Sequence, residues 1–166
     1  MSPTKIHLTA KLLRNARFPL PKEVFDAWAG SFPTVPLELA VLKNKKILLC
    51  KRGADDKFWP NKWHTPGTIL RQNEHFTDAY ERLVKNELGV DAKKLGKLRF
   101  LSYFEYLKGA GPGKNPRGHE IPHLFIVRPR GNILLRGTFF PLNKIPRNIV
   151  EHQKVLFKFL RSTRYS

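Results

Sequence analysis

The segment around Thr77 and Gly89 constrains the fold of this chain most, because it carries signals for both ends of one amphipathic helix. Thr77 belongs to the residue types that cap helix N-termini, and Gly89 stands where a left-handed C-terminal cap would end the helix. This spacing predicts a helix over residues 78–88. Its apolar stripe comprises Phe76, Ala79, Tyr80 and Leu83. Glu87 falls on the same stripe.

Glu87 is unusual because its carboxylate faces the core side in the last turn of that helix. The helix dipole disfavours an anion at this end, and partial burial adds a desolvation cost. A divalent cation or an arginine beside Glu87 would offset both costs. The alternative is that the side chain bends to solvent at the helix end, and the helical geometry alone favours neither reading.

Length and composition indicate one domain. The chain has 166 residues, of which 41% are hydrophobic, enough for one core and too few for two. No apolar run approaches the roughly 20 residues of a membrane span, and the N-terminal sequence lacks the apolar centre of a secretory signal. We therefore expect a cytoplasmic protein with no membrane partner. The single cysteine, Cys50, follows an apolar run and is expected to be a buried, inert thiol.

The charge balance favours an anionic partner. There are 31 lysines and arginines against 13 acidic residues, which gives a formal net charge of +18. Such an excess attracts phosphates, but it does not distinguish a free nucleotide from RNA or an anionic surface. The alternative is a solvated basic surface with no dedicated partner.

The first part of the chain divides into an extension and a hairpin. Residues 1–34 are basic and interrupted by prolines, and they predict an N-terminal extension with one short helix over 22–28. From Val35 the pattern changes. The runs PLELAVL and KILLCKR, joined by a turn at 43–46, predict a β-hairpin that opens the domain spanning 35–166.

The second half of the chain predicts further strands and a closing helix. The strand candidates are KLRFLSYFEYL, HLFIVRPR and GTFFPL. A basic, glycine-rich stretch at 109–118 lies between the first two and is expected to be flexible. Apolar residues at helical spacing over 147–161 predict a C-terminal amphipathic helix. Strands mixed with two substantial helices predict a layered α/β or α+β architecture.

Residues 68–90 also carry a motif, TILRQNEHFTDAYERLVKNELGV. The segment resembles the box of the Nudix hydrolases, which runs glycine, five residues, glutamate, seven residues, arginine, glutamate, an aliphatic residue, any residue, two glutamates, any residue, glycine and an aliphatic residue. The positions that agree are Glu74, Arg82, Val84, Glu87, Gly89 and Val90, preceded by Pro66 and Gly67. The resemblance implies an α/β fold of the Nudix type, an α/β/α sandwich with a mixed central sheet.

This chain departs from the box at three positions. Thr68 stands in place of the opening glycine, Leu83 in place of the glutamate after arginine, and Asn86 in place of the first paired glutamate. Two metal-binding carboxylates of the family pattern are therefore missing. By resemblance, Mg²⁺ is the expected cofactor, with Mn²⁺ as its alternative, because one carboxylate can suffice when a diphosphate supplies further oxygens. The resemblance assigns the metal to Gly67, Glu74 and Glu87.

The stretch ERLVKNELG is similar to the box of GDP-mannose mannosyl hydrolases, which attack the sugar carbon. In this branch of the family, Arg52 would match an arginine that stabilises the leaving group, and Glu38 lies near a carboxylate that contacts the base. The branch uses a histidine before the final strand as general base, and residues 132–138 contain none. His119 is the preferred substitute, because bases of the family often lie outside the box.

Other side chains complete the expected site. Arg82 is expected to support the diphosphate electrostatically, and Trp59 is expected to stack on a base or sugar, since aromatic faces and arginine commonly bind nucleotides. Core packing is the alternative for this tryptophan. His64 and His123 are alternatives to His119 as proton acceptor, because a histidine near neutral pKa suits proton abstraction.

Two functions of different class follow from these features. The first is a Mg²⁺-dependent hydrolase of a nucleoside diphosphate linked to another moiety, such as a nucleotide sugar. The second is a non-catalytic module of the same fold that binds RNA or nucleotide through the basic surface. An RNA-end pyrophosphohydrolase would combine both features.

Overall fold

The computed structural model describes residues 2–109 and 114–163, and its centre is a β-hairpin. Strand β1 spans Pro36–Lys43 and strand β2 spans Lys46–Lys51, paired antiparallel. The turn between them places Asn44 at φ 49° and Lys45 at φ 59°. Two left-handed residues match the twist of a tight hairpin. The predicted hairpin is confirmed.

Further strands extend the hairpin into a mixed sheet. They are β3 (Trp63–His64), β4 (Gly67–Ile69), β5 (Arg99–Tyr103), β8 (His123–Val127) and β9 (Thr138–Pro141). Within the described residues the order is β3-β2-β1-β8-β5, with β4 also on β1 and β9 also on β2. Strands β1 and β8 are parallel and the other pairs are antiparallel. Between β5 and β8 in the chain, β6 (Leu107–Lys108) and β7 (Lys114–Asn115) form a separate parallel pair.

The helix of the motif begins earlier than its sequence predicts. Helix α3 spans Phe76–Leu83, and a π-helical turn continues it over Val84–Leu88. His75 has the extended backbone of an N-cap, and the carboxylate of Asp78 accepts a hydrogen bond from its N–H at 3.3 Å. Thr77 is therefore inside the helix, and its predicted role as the cap was wrong. Gly89 ends the helix at φ 72°, which confirms the left-handed C-terminal cap.

The ends of the chain differ from their predictions in length. Helix α1 spans Pro3–Asn15 and was not predicted from the sequence. Helix α2 spans Lys22–Ser31 and is longer than the helix predicted over 22–28. Helix α4 covers only Lys154–Ser162, after a 3₁₀ turn over Glu151–Gln153. Before this turn, Ile149 forms a β-bridge with Trp63 instead of continuing the predicted helix.

Two cores lie on opposite faces of the sheet. One packs α3 and its π turn against the sheet, with Leu39, Val41, Leu83 and Leu88 among its buried residues. The other packs α4 against the sheet, with Ile47, Leu124, Leu156 and Phe157. This helix–sheet–helix layering with a mixed sheet confirms the predicted architecture.

Two further expectations concern segments rather than layers. The glycine-rich stretch at 109–118 falls partly outside the described residues, and its expected flexibility stays a prediction. In the part of the chain that the structure describes, no helix combines the length and apolarity needed to cross a bilayer.

Candidate active site

A basic pocket of about 250 Å³ lies where the residues before β1, here called the N-terminal segment, meet the sheet and the motif. Four arginines line it: Arg52, Arg71, Arg82 and Arg117. Glu38 and Gly67, which are partners in the β1–β4 register, line it as well. A concave surface with converging guanidinium groups is suited to a multiply charged anion such as a phosphate chain.

Glu87 lies on the π turn and faces two residues of this pocket. Its carboxylate accepts a hydrogen bond from the backbone N–H of Gly67, and the charge of Arg52 acts on it. Desolvation dominates and raises the pKa of Glu87 to about 7, against the lowering effects of these two neighbours. The Oε2 atom is buried without a hydrogen-bond partner among the described residues. The structure thus confirms that Glu87 turns inward, toward Gly67 and Arg52.

Glu38 is the second buried carboxyl group beside Gly67, and it is 7% exposed. Its Oε2 accepts hydrogen bonds from the Thr65 hydroxyl and from Gln153 Nε2, the latter at 3.1 Å. Burial is the largest effect on it and raises the pKa of Glu38 to about 8. A Cβ atom on Gly67 would lie 3.0 Å from Glu38 Oε1, so the close approach of this carboxyl group favours glycine at this position.

Arg82 and Glu74 hold the loop before α3 onto the helix. Arg82 donates to Glu74 Oε1 from Nε at 2.7 Å and to Oε2 from Nη2 at 2.8 Å. It also donates to Thr68 Oγ1 at 2.6 Å and to the Ile69 carbonyl at 3.1 Å. Glu74 accepts a further bond from the Arg71 N–H at 2.8 Å. Both oxygens of Glu74 are therefore engaged in holding the loop, and its expected role as a metal ligand stays a prediction.

Arg82 is engaged in the same loop, and its expected support of a diphosphate stays a prediction. The expectation was that it would support a diphosphate, yet three of its nitrogen atoms already donate to Glu74, Thr68 and Ile69. It lines the pocket, but its hydrogen bonds serve the loop.

Arg52 enters the pocket from the end of β2. It makes an ion pair with Asp56 at 3.6 Å, and Asp56 accepts hydrogen bonds from the N–H groups of Phe58 and Trp59 at 3.0 and 2.8 Å. Trp59 is only 3% exposed, with the guanidinium groups of Arg52 and Arg117 at 5.5 and 5.1 Å from its ring. The ring supports two pocket arginines from behind, so its expected stacking on a substrate is corrected to core packing.

Among the described residues that line the pocket, none of the three candidate histidines is present. His119 is absent from the residues that line it, and its Nε2 is buried without a partner in the described structure. His64 is buried, and desolvation lowers its pKa to about 3, which leaves it neutral. The ring of His123 packs against Phe76 at 5.3 Å. The choice of His119 as catalytic base therefore has no support in the geometry of this pocket.

Arg117 is a pocket residue that the sequence did not identify. It donates to Glu120 from Nε at 3.0 Å and reaches the pocket beside Arg52. No local pattern marks it, because its position depends on packing between the segment after β7 and the N-terminal segment.

The donor set fits a divalent ion that takes most of its ligands from elsewhere. Among the described residues, no group of three or more acidic, histidine or cysteine side chains is placed to hold a metal together. Glu87 offers one buried oxygen with no partner. Gly67 contacts Glu87 through its N–H. Mg²⁺ commonly binds through one or two carboxylates and completes its shell with water and substrate oxygens, so Glu87 fits such an ion.

A mixed sheet between helices, with a loop–helix segment that carries Glu87 beside an arginine-lined pocket, defines an α/β protein with a cationic cleft. The model of the NUDIX domain matches residues 38–160. The chain belongs to the NUDIX family.

Similar proteins agree with this membership. An ADP-ribose pyrophosphatase of Methanocaldococcus jannaschii is 29% identical over 135 residues, covering 78% of this chain and 74% of that protein. A MutT NUDIX hydrolase from Burkholderia pseudomallei aligns with a TM-score of 0.63 at 18% identity, over 77% of this chain and 98% of its own. A MutT protein from Methanosarcina mazei Go1 aligns with a TM-score of 0.61 at 14% identity, over 81% and 96%. The solved structures support the fold.

Family membership and the pyrophosphatase relative support the expected class of activity, a hydrolase of a diphosphate-containing substrate. Hydrolases of this family generally use divalent metals, which agrees with the expectation of a metal cofactor. The narrower resemblance to GDP-mannose mannosyl hydrolases stays a prediction.

Proposed function

We propose that this protein hydrolyses a nucleoside diphosphate linked to a sugar, with ADP-ribose as the first substrate to test. The M. jannaschii relative carries the name ADP-ribose pyrophosphatase, which supports this choice. GDP-mannose is the alternative substrate, because the stretch ERLVKNELG resembles the box of the mannosyl hydrolases. Both substrates present the same diphosphate to the pocket.

The observation that carries this proposal is the charge arrangement in the pocket. Arg52, Arg71 and Arg117 bring cationic groups to one pocket, and the charge of Arg52 also acts on the buried carboxylate of Glu87. Arginine forms paired hydrogen bonds with phosphate oxygens, and its charge persists at any physiological pH. The three guanidinium groups would bind and orient the diphosphate.

Glu87 is the residue that we assign to the metal ion, Mg²⁺ or its alternative Mn²⁺. When bound, the ion would neutralise charge on the diphosphate. Glu87 would hold it through the buried Oε2, and Gly67 would orient Glu87 by its N–H. Glu38 would contact the substrate as the second carboxyl group of the pocket. Thr65 and Gln153 both bond to its Oε2, and its Oε1 lies nearest Gly67.

The test is a hydrolysis screen with and without Mg²⁺ or Mn²⁺. Its substrates are ADP-ribose, GDP-mannose, a dinucleoside polyphosphate and capped RNA. We expect metal-dependent turnover of a nucleoside diphosphate sugar. Products distinguish the two chemistries: AMP and ribose 5-phosphate mean attack at phosphorus, whereas GDP and free mannose mean attack at the sugar carbon. Turnover of none of them with either metal would refute the proposal.

The rival function, a non-catalytic module that binds RNA, was suggested by the net charge of +18. The same charge also suits a nucleotide pocket, so it does not favour RNA over a small molecule. The hydrolase is preferred because Arg52, which lines the concave site together with other arginines, also acts on the buried carboxylate of Glu87.

A further inference from the structure

One side of the pocket is built by residues that precede the family-matched segment 38–160. These residues come from the loop before α2, from α2 itself and from the start of β1. They are Phe18, Pro19, Leu20, Phe25 and Pro36. The N-terminal segment is therefore part of the pocket and is more than an appendage to the domain.

Two aromatic rings dominate this side of the pocket. Phe18 and Phe25 are both half-buried, and both pack against Trp28, with ring centroids 5.8 and 6.0 Å away. Trp28 thus fixes the two rings relative to each other. A packed support behind a partly exposed ring is what a stacking surface needs, because a fixed ring loses little conformational freedom when a ligand binds.

Each ring also carries an arginine of the pocket. The guanidinium carbon of Arg71 lies 5.9 Å from the Phe18 ring centroid, and that of Arg117 lies 6.0 Å from the Phe25 centroid. Both arginines line the pocket with the rings. Each guanidinium group therefore connects an aromatic face to the region proposed for the diphosphate.

We infer that Phe18 and Phe25 form the nucleobase-binding wall of this site, a role that rests on the proposed function. A nucleoside diphosphate joins an anion to a flat π system, and this pocket joins arginines to aromatic faces in the same way. Stacking on aromatic rings tolerates any base, since every base has a π face. The N-terminal segment thus recognises the nucleoside, and the family-matched segment binds the diphosphate.

The test compares ADP with inorganic diphosphate in equilibrium binding by calorimetry. Both ligands carry a diphosphate, and only ADP carries a base. The double variant Phe18→Leu with Phe25→Leu keeps apolar bulk and removes the rings, whereas Phe18→Tyr with Phe25→Tyr keeps them. Phe32→Leu is the matched control, because Phe32 is 54% exposed in the same N-terminal segment and does not line the pocket.

We expect the double leucine variant to bind ADP about tenfold more weakly, while its affinity for inorganic diphosphate stays within about twofold. The tyrosine variant and Phe32→Leu should bind ADP as the wild type does. An equal loss for both ligands would mean that the rings only hold the arginines, and it would overturn the inference. An unchanged ADP affinity, or a wild type that does not bind ADP, would overturn it as well.

Binding and turnover separate this inference from the proposed function. If the wild type binds ADP through the rings and hydrolyses no diphosphate substrate, the base wall stands and the hydrolase proposal fails. If the wild type hydrolyses ADP-ribose and the leucine variant has the same KM, the hydrolase stands and the base wall fails.

Discussion

Arg82 engages both carboxylate oxygens of Glu74, from Nε at 2.7 Å and from Nη2 at 2.8 Å. This bidentate pair joins the loop before α3 to the helix that carries the motif. Both residues occupy motif positions, and their ion pair joins the loop to the helix. The pair therefore sets the position of the segment from which Glu87 projects.

The first prediction concerns this pair. Replacing Glu74 with glutamine removes the charge that Arg82 faces, and we expect the free energy of unfolding to fall by about 1.5–3 kcal/mol. Chemical denaturation measures the loss, and the exposed Glu81→Gln on the same helix is the control. The affinity for Mg²⁺ should change little. A variant with full stability and lost Mg²⁺ affinity would return Glu74 to the role of metal ligand.

The second prediction concerns Arg52. Its guanidinium group lines the pocket and acts on the charge of Glu87. Arg52→Met should raise KM for the diphosphate substrate by roughly tenfold to a hundredfold, since one charge-assisted hydrogen bond contributes about 1.5–3 kcal/mol.

Arg52→Lys should recover part of this loss, because it keeps the charge without the paired geometry. Lys85→Met makes the same change of charge on an exposed side chain and should leave KM unaltered. Steady-state kinetics with circular dichroism as a folding check separate these variants. An unchanged KM for Arg52→Met would exclude contact between this arginine and the diphosphate.

The third prediction concerns pH and Glu38. Burial raises its pKa from an ordinary 4.5 to about 8 in the folded protein. Between these values the unfolded chain has released the proton that the folded chain keeps. The stability that the neutral carboxyl group contributes is therefore complete below the unfolded pKa and is lost as the pH rises through the folded one.

Glu38→Gln has no such proton, so its free energy of unfolding relative to the wild type should increase from about pH 5 to about pH 9. Urea denaturation at several pH values measures the difference. A difference that stays constant over this range would show that Glu38 is ionised in the folded protein. Glu81→Gln, on an exposed side chain, is expected to give a constant difference.

The fourth prediction concerns the basic surface. If the net charge of +18 recruits RNA, the affinity for a generic single strand should fall by roughly a thousandfold or more between about 50 and 200 mM salt. Fluorescence anisotropy with a labelled oligonucleotide measures this slope. Binding that is absent at low salt, or indifferent to salt, would eliminate the RNA-binding alternative.

Local patterns of the sequence predicted much of the fold. Two short apolar runs joined by a turn predicted the hairpin of β1 and β2, and Gly89 predicted the helix end, because both features depend on neighbours in the chain. Helical spacing placed Glu87 on the apolar stripe but left open whether its side chain bends to solvent, and the structure shows it turned inward. The prediction that Thr77 caps the helix was wrong because His75 is the N-cap. The hydrogen bond from the His75 N–H to the Asp78 carboxylate lies at this earlier start of the helix.

The site was predicted less completely because it depends on distant contacts. Glu74 matched a metal position in the motif, and only the structure shows that it accepts hydrogen bonds from Arg82 that hold the loop on the helix. Arg117 and Phe18 reach the pocket from distant parts of the chain, and no spacing in the sequence indicates that they meet. His119 was chosen for its residue type. Its place outside the pocket lining depends on tertiary packing, which the sequence does not show.

The most direct test of the account replaces Glu87 with glutamine, which keeps the shape of the side chain and removes the charge that a hard cation requires. The measurement is Mg²⁺-dependent hydrolysis of ADP-ribose, or of whichever nucleoside diphosphate sugar the screen identifies, together with the free energy of unfolding. We predict that turnover is abolished while folding stability changes little, since the folded protein already raises the pKa of this buried group to about 7. Wild-type turnover by Glu87→Gln would contradict the assignment of the metal to Glu87 and, with it, the proposed catalytic site.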